Sequence, residues 1–203
     1  MDKFVAPASI YNFLKYCNTS SLDKEVLDCG AGGDYPPLFI FKKYGYKTYG
    51  IEISKEQIDK SNDFCKRNKV DLNIIEGDMN ELPFKDRRFS FVYTYNTTVH
   101  MPKEDCKIAM KELERVVKSG GLLFVNFLSY ECSTYCEGLV QNKGEFLQDD
   151  KEGKILFAHY EGNEVEEFFV DSDIIYKEKK IIERFIDGKK HISGFFEYIL
   201  KKK

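Results

Sequence analysis

Val26-Leu27-Asp28-Cys29-Gly30-Ala31-Gly32-Gly33 runs an apolar strand into a glycine turn with an acid at its mouth, and apolar sequence from Leu38 onward can continue as a helix. Glycine lacks Cβ, so a ligand can approach the backbone where a strand hands over to a helix at the carboxyl edge of a parallel sheet. The stretch predicts a nucleotide-like cofactor. Which cofactor it is depends on Asp28 and Asp34, the two acids flanking the turn.

Working outward, Ile10, Phe13, Leu14 and Cys17 recur at helical spacing behind Pro7, and Asn18-Thr19-Ser20-Ser21 ends the pattern. Past the turn, Leu38, Phe39 and Phe41 predict a helix that stops at Tyr44-Gly45, and residues 47–53 a second strand. Ser54 and Gln57 form a capping-box signature for a helix reaching about Asn68, and residues 72–75 predict a third strand ending at Glu76-Gly77-Asp78. The near-continuous apolar run 89–95 suits a fourth strand buried on both faces, hence parallel pairing. Cys106, Ala109, Met110, Leu113 and Val117 stripe the next helix, Ser119-Gly120-Gly121 reads as its stop, and residues 122–128 as a fifth strand. Strands alternating with helices predict an α/β fold with a doubly wound, mostly parallel Rossmann-like sheet.

From 129 to about 161 the pattern loosens into glycines and mixed charges and reads as a loop-rich insertion. A helical candidate at 164–169 precedes two strand-like runs, 174–185 and 192–200, around Asp187-Gly188, which predicts a C-terminal antiparallel hairpin. The expected organisation is one domain: a helical cap over 1–22, a cofactor-binding core over 23–129, a lid insertion over 130–162, and a closing helix and hairpin over 163–203.

The chain has 203 residues and a formal net charge of -3, so no global positive field draws nucleic acid to its surface. Six cysteines at irregular separations suit reduced thiols in the cytoplasm. The lone close pair, Cys132 and Cys136, is weak evidence for a metal, and none is expected. No leader segment and no long apolar run is visible, which predicts a protein without a membrane span. Lys201-Lys202-Lys203 reads as a solvated, frayed tail.

A dinucleotide turn wants a third glycine two or three positions after the second, but here that register falls on Tyr35. Asp34 sits where a phosphate would bind, and a carboxylate there repels a dianion. Two acids around the turn suit a cofactor carrying positive charge, as the sulfonium and ammonium of S-adenosylmethionine do.

At this point the sequence becomes specific. Asp28-Cys29-Gly30-Ala31-Gly32 resembles the first motif of the Rossmann-like, seven-stranded S-adenosylmethionine-dependent methyltransferases. Glu52, within Tyr49-Gly50-Ile51-Glu52-Ile53, matches the acid that takes the two ribose hydroxyls in that family, and Glu76-Gly77-Asp78-Met79 resembles the motif whose aspartate accepts from the adenine amino group. The run from Glu112 to Gly121 is similar to the family's helix-to-fifth-strand junction. The resemblance covers about 25–129 and the closing hairpin, and fades between 130 and 161. It implies S-adenosylmethionine as cofactor, held by Asp28, Gly30, Ala31, Gly32, Glu52, Ile53, Asp78, Met79 and Asn96.

The resemblance also implies that Asn96-Thr97-Thr98-Val99-His100-Met101 faces the methyl group and the acceptor. This segment is not the Asn/Asp-Pro-Pro-aromatic motif of adenine amino methylation, and no Pro-Cys pair suited to attack on cytosine is present. His100 is the candidate general base; alternatively it bonds the backbone and shapes the pocket. Tyr11 and Tyr16 could close over the cofactor or simply pack, while His159 and Tyr160 fall in the insertion with no assigned role. The expected activity is methyl transfer to a small molecule. The alternatives are a noncatalytic module that binds the same cofactor and an NAD-type oxidoreductase, which Tyr35 and Asp34 disfavour.

Overall fold

The computed structural model describes residues 6–150 and 153–203. The part of the expected cap formed by residues 1–5, and residues 151–152 of the insertion, lie outside the described residues.

Helix α1 (Ala8–Thr19) precedes β1 (Glu25–Cys29), and α2 (Leu38–Lys43), β2 (Lys47–Glu52), α3 (Lys55–Asn68), β3 (Ile74–Glu76) and β4 (Phe89–Tyr93) follow in turn. Then come α4 (Lys103–Val116), β5 (Val117–Ser129), β6 (Leu139–Asn142), β7 (Glu145–Asp150), β8 (Gly153–Tyr160), β9 (Ser172–Ile186) and β10 (Lys189–Lys202). Strands β3-β2-β1-β4-β5 pair in parallel in that order, and β10 then joins β5 antiparallel and carries β9 on its far side. Strand order reverses between β1 and β4, and at such a switch point the loops part to leave a crevice at the carboxyl edge.

Alternation along β1 divides the core. Leu27 and Cys29 pack with Cys106, Ala109, Met110 and Leu113 of α4, whereas Val26 joins Phe13 of α1, Phe41 of α2 and Phe64 of α3 on the opposite face. Helices therefore cover both faces, as a parallel sheet requires. Tyr93 lies 5.3 Å from Phe41 and 6.0 Å from Phe13 between ring centroids, an aromatic layer under the first two helices. Ser54 Oγ accepts the Gln57 backbone N–H at 3.4 Å, the capping bond that the sequence predicts at the start of α3.

Four local expectations are corrected. Ser119-Gly120-Gly121 does not stop a helix: α4 ends at Val116, and these residues form an irregularity inside β5, where Val117 pairs with Phe89 and Leu122 with Phe91. A Cβ on Gly121 would sit 2.6 Å from the Ser90 carbonyl oxygen, so glycine is what lets the two strands approach. The insertion is not loop-rich, since β6, β7 and β8 form an antiparallel ribbon whose last residues, His159 and Tyr160, pair in parallel with Leu128 and Ser129 of β5. Its apolar residues come in runs too short to stand out against the surrounding charges. Residues Glu164–Phe168 form a 3-10 turn in place of the expected helix.

The terminal lysines are no frayed tail either. Lys202 belongs to β10 and pairs with Asp171 at 3.1 Å, and Lys203 pairs with Asp173 at 3.5 Å. The hairpin turn agrees with its sequence signal, since Asp187 and Gly188 both have positive φ, 51° and 74°, as a two-residue turn of this hand needs. No helix among the described residues is long and apolar enough to cross a membrane.

Candidate active site

A pocket of about 230 Å³ lies at the carboxyl edge, lined by Gly30 after β1, Glu52 and Ile53 at the end of β2, Asp78 and Met79 beyond β3, and Thr97 and His100 beyond β4. Four strand ends separated by up to 70 residues of sequence thus converge on one cavity.

The glycine turn is held by backbone bonds to β2 and to the first turn of α3. The N–H groups of Gly30 and Ala31 donate to the Ile51 carbonyl at 2.8 and 3.0 Å, and the Gly33 N–H donates to the Gln57 carbonyl at 2.9 Å. Glu52 completes the clamp, with Oε2 accepting the Gly32 N–H at 3.1 Å and Oε1 accepting the Ser54 N–H at 3.0 Å. Gly30 has φ +97°, and a Cβ there would lie 2.0 Å from Thr97 Oγ1. The position therefore demands glycine twice over, for its backbone angle and for the room it leaves.

Across the pocket, Asp78 Oδ1 accepts the Asn80 N–H at 2.8 Å. Asn80 Oδ1 is buried and has no partner, an acceptor that a ligand donor could satisfy. Met79 is buried beneath it and Ile53 is exposed at the rim, 68% accessible. His100 Nδ1 lies 3.0 Å from the Leu156 carbonyl oxygen, and its ring stands edge-on to Phe157 at 5.0 Å. A carbonyl only accepts, so Nδ1 carries a proton, and Nε2 is the ring nitrogen that this bond leaves available. The donor set fits S-adenosylmethionine: acceptor oxygens of Glu52 for a vicinal diol, acceptors of Asp78 and Asn80 for an amino group, and apolar Ile53 and Met79 for a flat ring.

The other sequence candidates lie elsewhere. Ala31 and Gly32 support the turn without lining the cavity, and Asp34 and Tyr35 are exposed, with Tyr35 edge-on to Phe64 at 6.1 Å. Asp28 is 1% exposed and points into the sheet face shared with Tyr93. Burial pushes its carboxyl up to about 8, with the Tyr93 hydroxyl opposing the shift and the Glu52 charge reinforcing it. Asn96 has φ 58° and is locked to Asn126, whose Nδ2 donates to Asn96 Oδ1 at 2.6 Å while the Asn96 N–H donates to Asn126 Oδ1 at 2.8 Å.

Tyr16 packs on Tyr176 with centroids 5.9 Å apart, and neither it nor Tyr11 lines the pocket. His159 is fully buried, its Nε2 2.8 Å from Thr134 Oγ1, and burial lowers its pKa, so it belongs to the ribbon's interior. Tyr160 is buried with its ring 5.2 Å from that of Phe127. Thr97 falls in the 96–101 segment that the resemblance places at the methyl group, whereas Asn80 has no signal in the sequence, because an isolated polar residue in a loop carries no periodicity.

Comparison with known proteins points to the same cofactor class. Residues 27–125 match the family model described as a methyltransferase domain. A sterol 24-C-methyltransferase of Gibberella zeae is 31% identical over 103 residues, 50% of this chain and 27% of that protein. A probable tocopherol O-methyltransferase of Oryza sativa is 29% identical over 132 residues, 63% of this chain and 33% of that protein. The matched region spans about a third or less of these curated relatives. Among solved structures, a SAM-dependent methyltransferase from Methanosarcina mazei superposes with a TM-score of 0.74 at 22% identity, covering 93% of this chain and 96% of that one. Residues 27–125, just under half of the chain, thus form a methyltransferase domain of the Rossmann-like, S-adenosylmethionine-dependent kind.

Proposed function

We propose that this protein transfers a methyl group from S-adenosylmethionine to a small-molecule acceptor in the cytoplasm. Glu52 carries the proposal: its carboxylate is oriented by the Gly32 and Ser54 N–H groups, one on each oxygen, and each oxygen keeps acceptor capacity for a ribose hydroxyl. Asp78 would take the adenine amino group, with Ile53 and Met79 flanking the ring. Asp28, Ala31, Gly32 and Asn96 would act by building the turn and the pocket wall.

The cofactor supplies an activated methyl group, so the chain's task is to align an acceptor and exclude water. His100 would take the acceptor's proton on Nε2 while Nδ1 is held by Leu156. Residues 130–162 would form the lid over the acceptor, the 6–22 segment part of a cap, and the whole chain one domain. The names of the relatives, sterol and tocopherol methyltransferases, support a small acceptor, as does the net charge of -3.

Thermal unfolding with S-adenosylhomocysteine and with NAD in parallel tests the cofactor. A ligand at a hundred times its dissociation constant adds about 2.7 kcal/mol, several degrees in a domain of this size. A rise with the sulfur compound alone is expected, and a rise with NAD alone overturns the proposal. His100→Ala is expected to cut turnover about 100-fold, a common size for a lost general base, with less than about tenfold change in S-adenosylhomocysteine affinity. Unchanged turnover would assign His100 to pocket shape.

A further inference from the structure

A second cavity, of about 390 Å³, is lined by Tyr95, Asn96, Asn126, Lys180, Arg184 and Phe195, with the start of α1 and the middle of the β9–β10 hairpin completing its wall. Asn96 borders this cavity and its neighbour Thr97 borders the first, so a single peptide segment at the end of β4 separates them. The size is ample for a small organic molecule.

Its charges are unequal in availability. Glu197, 3% exposed, accepts from Ser9 Oγ at 2.6 Å and from Lys180 Nζ at 2.5 Å, and Lys180 also meets Glu178 at 3.1 Å. Lys180 is therefore neutralised where it stands. Arg184 is not: its Nη1 donates to Ser193 Oγ at 3.3 Å, and no carboxylate among the described residues pairs with it. Beside it, Ile182 and Phe195 provide an apolar wall, and Tyr95 and the locked Asn96–Asn126 pair a polar one.

We infer that this second cavity is the acceptor site and that the acceptor carries a carboxylate, bound by the Arg184 guanidinium with its apolar body against Ile182 and Phe195 and its reacting atom reaching past Asn96 to the first cavity, where Thr97 and His100 lie. The inference rests on the methyltransferase reading for the word acceptor. A guanidinium fork matches the two oxygens of a carboxylate, and one unpaired cation balances one negative charge. A phosphate dianion would be left half-compensated. Ser193 accepts one guanidinium N–H at 3.3 Å without consuming the charge of this exposed side chain, which stays available to a ligand.

Three matched pairs of probes test this on the full chain saturated with S-adenosylhomocysteine: 4-hydroxybenzoate, phenylacetate and hexanoate, each beside its methyl ester, titrated by NMR. At least one acid is expected to bind about tenfold or more tightly than its ester, the scale of a hydrogen-bonded charge pair. Arg184→Gln should erase that preference and Arg184→Lys retain part of it. Intermolecular NOEs between the bound acid and the methylenes beside the sulfur of S-adenosylhomocysteine are expected as well.

Equal binding of acids and esters, no binding of any acid, or a preference that survives Arg184→Gln overturns the carboxylate site. Binding without those NOEs overturns its role as acceptor site. Titrating S-adenosylhomocysteine alone separates the two levels, because failure there removes the cofactor reading and leaves the acid-over-ester comparison, repeated without it, to be judged on its own.

Discussion

Glu52 Oε2 accepts the Gly32 backbone N–H at 3.1 Å, so the acid that ends β2 fixes the glycine turn that ends β1. Its second oxygen is tied to Ser54 N at 3.0 Å, and the carboxylate is thereby oriented before any ligand arrives. Glu52→Ala removes both anchors together with the proposed ribose acceptor. Hydrogen bonds to a charged group are worth about 1.5–3 kcal/mol each, so S-adenosylhomocysteine affinity is expected to fall at least about 100-fold by calorimetry. Glu52→Gln, which keeps one acceptor oxygen, should fall less. Equal affinity of the alanine variant and the wild type would remove Glu52 from the cofactor site.

Gly30 and Gly33 share φ +97° but differ in surroundings: a Cβ on Gly30 meets Thr97 Oγ1 at 2.0 Å, whereas one on Gly33 meets nothing closer than Gln57 Oε1 at 3.7 Å. Backbone strain alone predicts a loss of about 1–3 kcal/mol for either alanine substitution. Gly30→Ala should lose more, measured by urea unfolding, and Thr97→Ala in the same chain should recover part of the difference. Equal losses at the two positions would show that the loop absorbs the collision.

The strand-turn-acid succession was legible because each part obeys a local rule. Val26, Leu27 and Cys29 alternate between two sheet faces, Gly30 answers a backbone angle, and Ser54 caps its helix. Asp187-Gly188 was legible for the same reason. What escaped was set by distant partners. The ribbon of β6, β7 and β8 depends on cross-strand pairs such as Phe146 with Phe157, and nothing in a short apolar run declares its partner. Lys180 and Arg184 look alike in sequence as charges on a hairpin. The approach of Glu197 and Glu178 to the first and not to the second separates them. Asp28 was legible as an acid at the turn, but its burial beside Tyr93 depends on the aromatic layer beneath α1 and α2.

Asp28 gives the stability of the ligand-free protein a pH dependence of unusual sign. Its carboxyl is raised to about 8 in the folded chain, against about 3.9 when unfolded. Between these values the folded state holds a proton that the unfolded state has lost, so stability falls as pH rises, by at most about 1.4 kcal/mol per unit from this group. His159, whose pKa burial lowers, has the opposite slope, but only below its unfolded value of about 6.5. Above about 6.5 the His159 contribution fades. The buried thiols of Cys17, Cys29 and Cys106, which burial pushes up, add a decline of the same sign that an Asp28→Asn chain retains, so the comparison of the two chains isolates Asp28. Denaturant unfolding at several pH values from about 6.5 to about 8 should show declining stability in the wild type and a flatter profile in Asp28→Asn. Parallel profiles would show that Asp28 is ionised in the fold.

Glu145 ties the ribbon to the core. It is 4% exposed, with Oε1 accepting the Lys103 N–H at the start of α4 at 2.6 Å and Oε2 accepting from Asn142 Nδ2 at 2.8 Å. A carboxylate at a helix N-terminus is favoured by the helix dipole as well as by the bond itself. Glu145→Ala leaves the Lys103 N–H without its acceptor in a part-buried setting, at a cost of about 1–3 kcal/mol. Because β8 pairs with β5 only through His159 and Tyr160, that loss should appear mainly as local opening. Hydrogen exchange is expected to speed across β6, β7 and β8 and at the start of α4, with β1, β2 and β4 unchanged. Glu145→Gln, which can still accept from the helix, should restore most of the protection. Uniform acceleration across the sheet would mean that the ribbon opens only with the whole fold, and a lid built on it could not move independently.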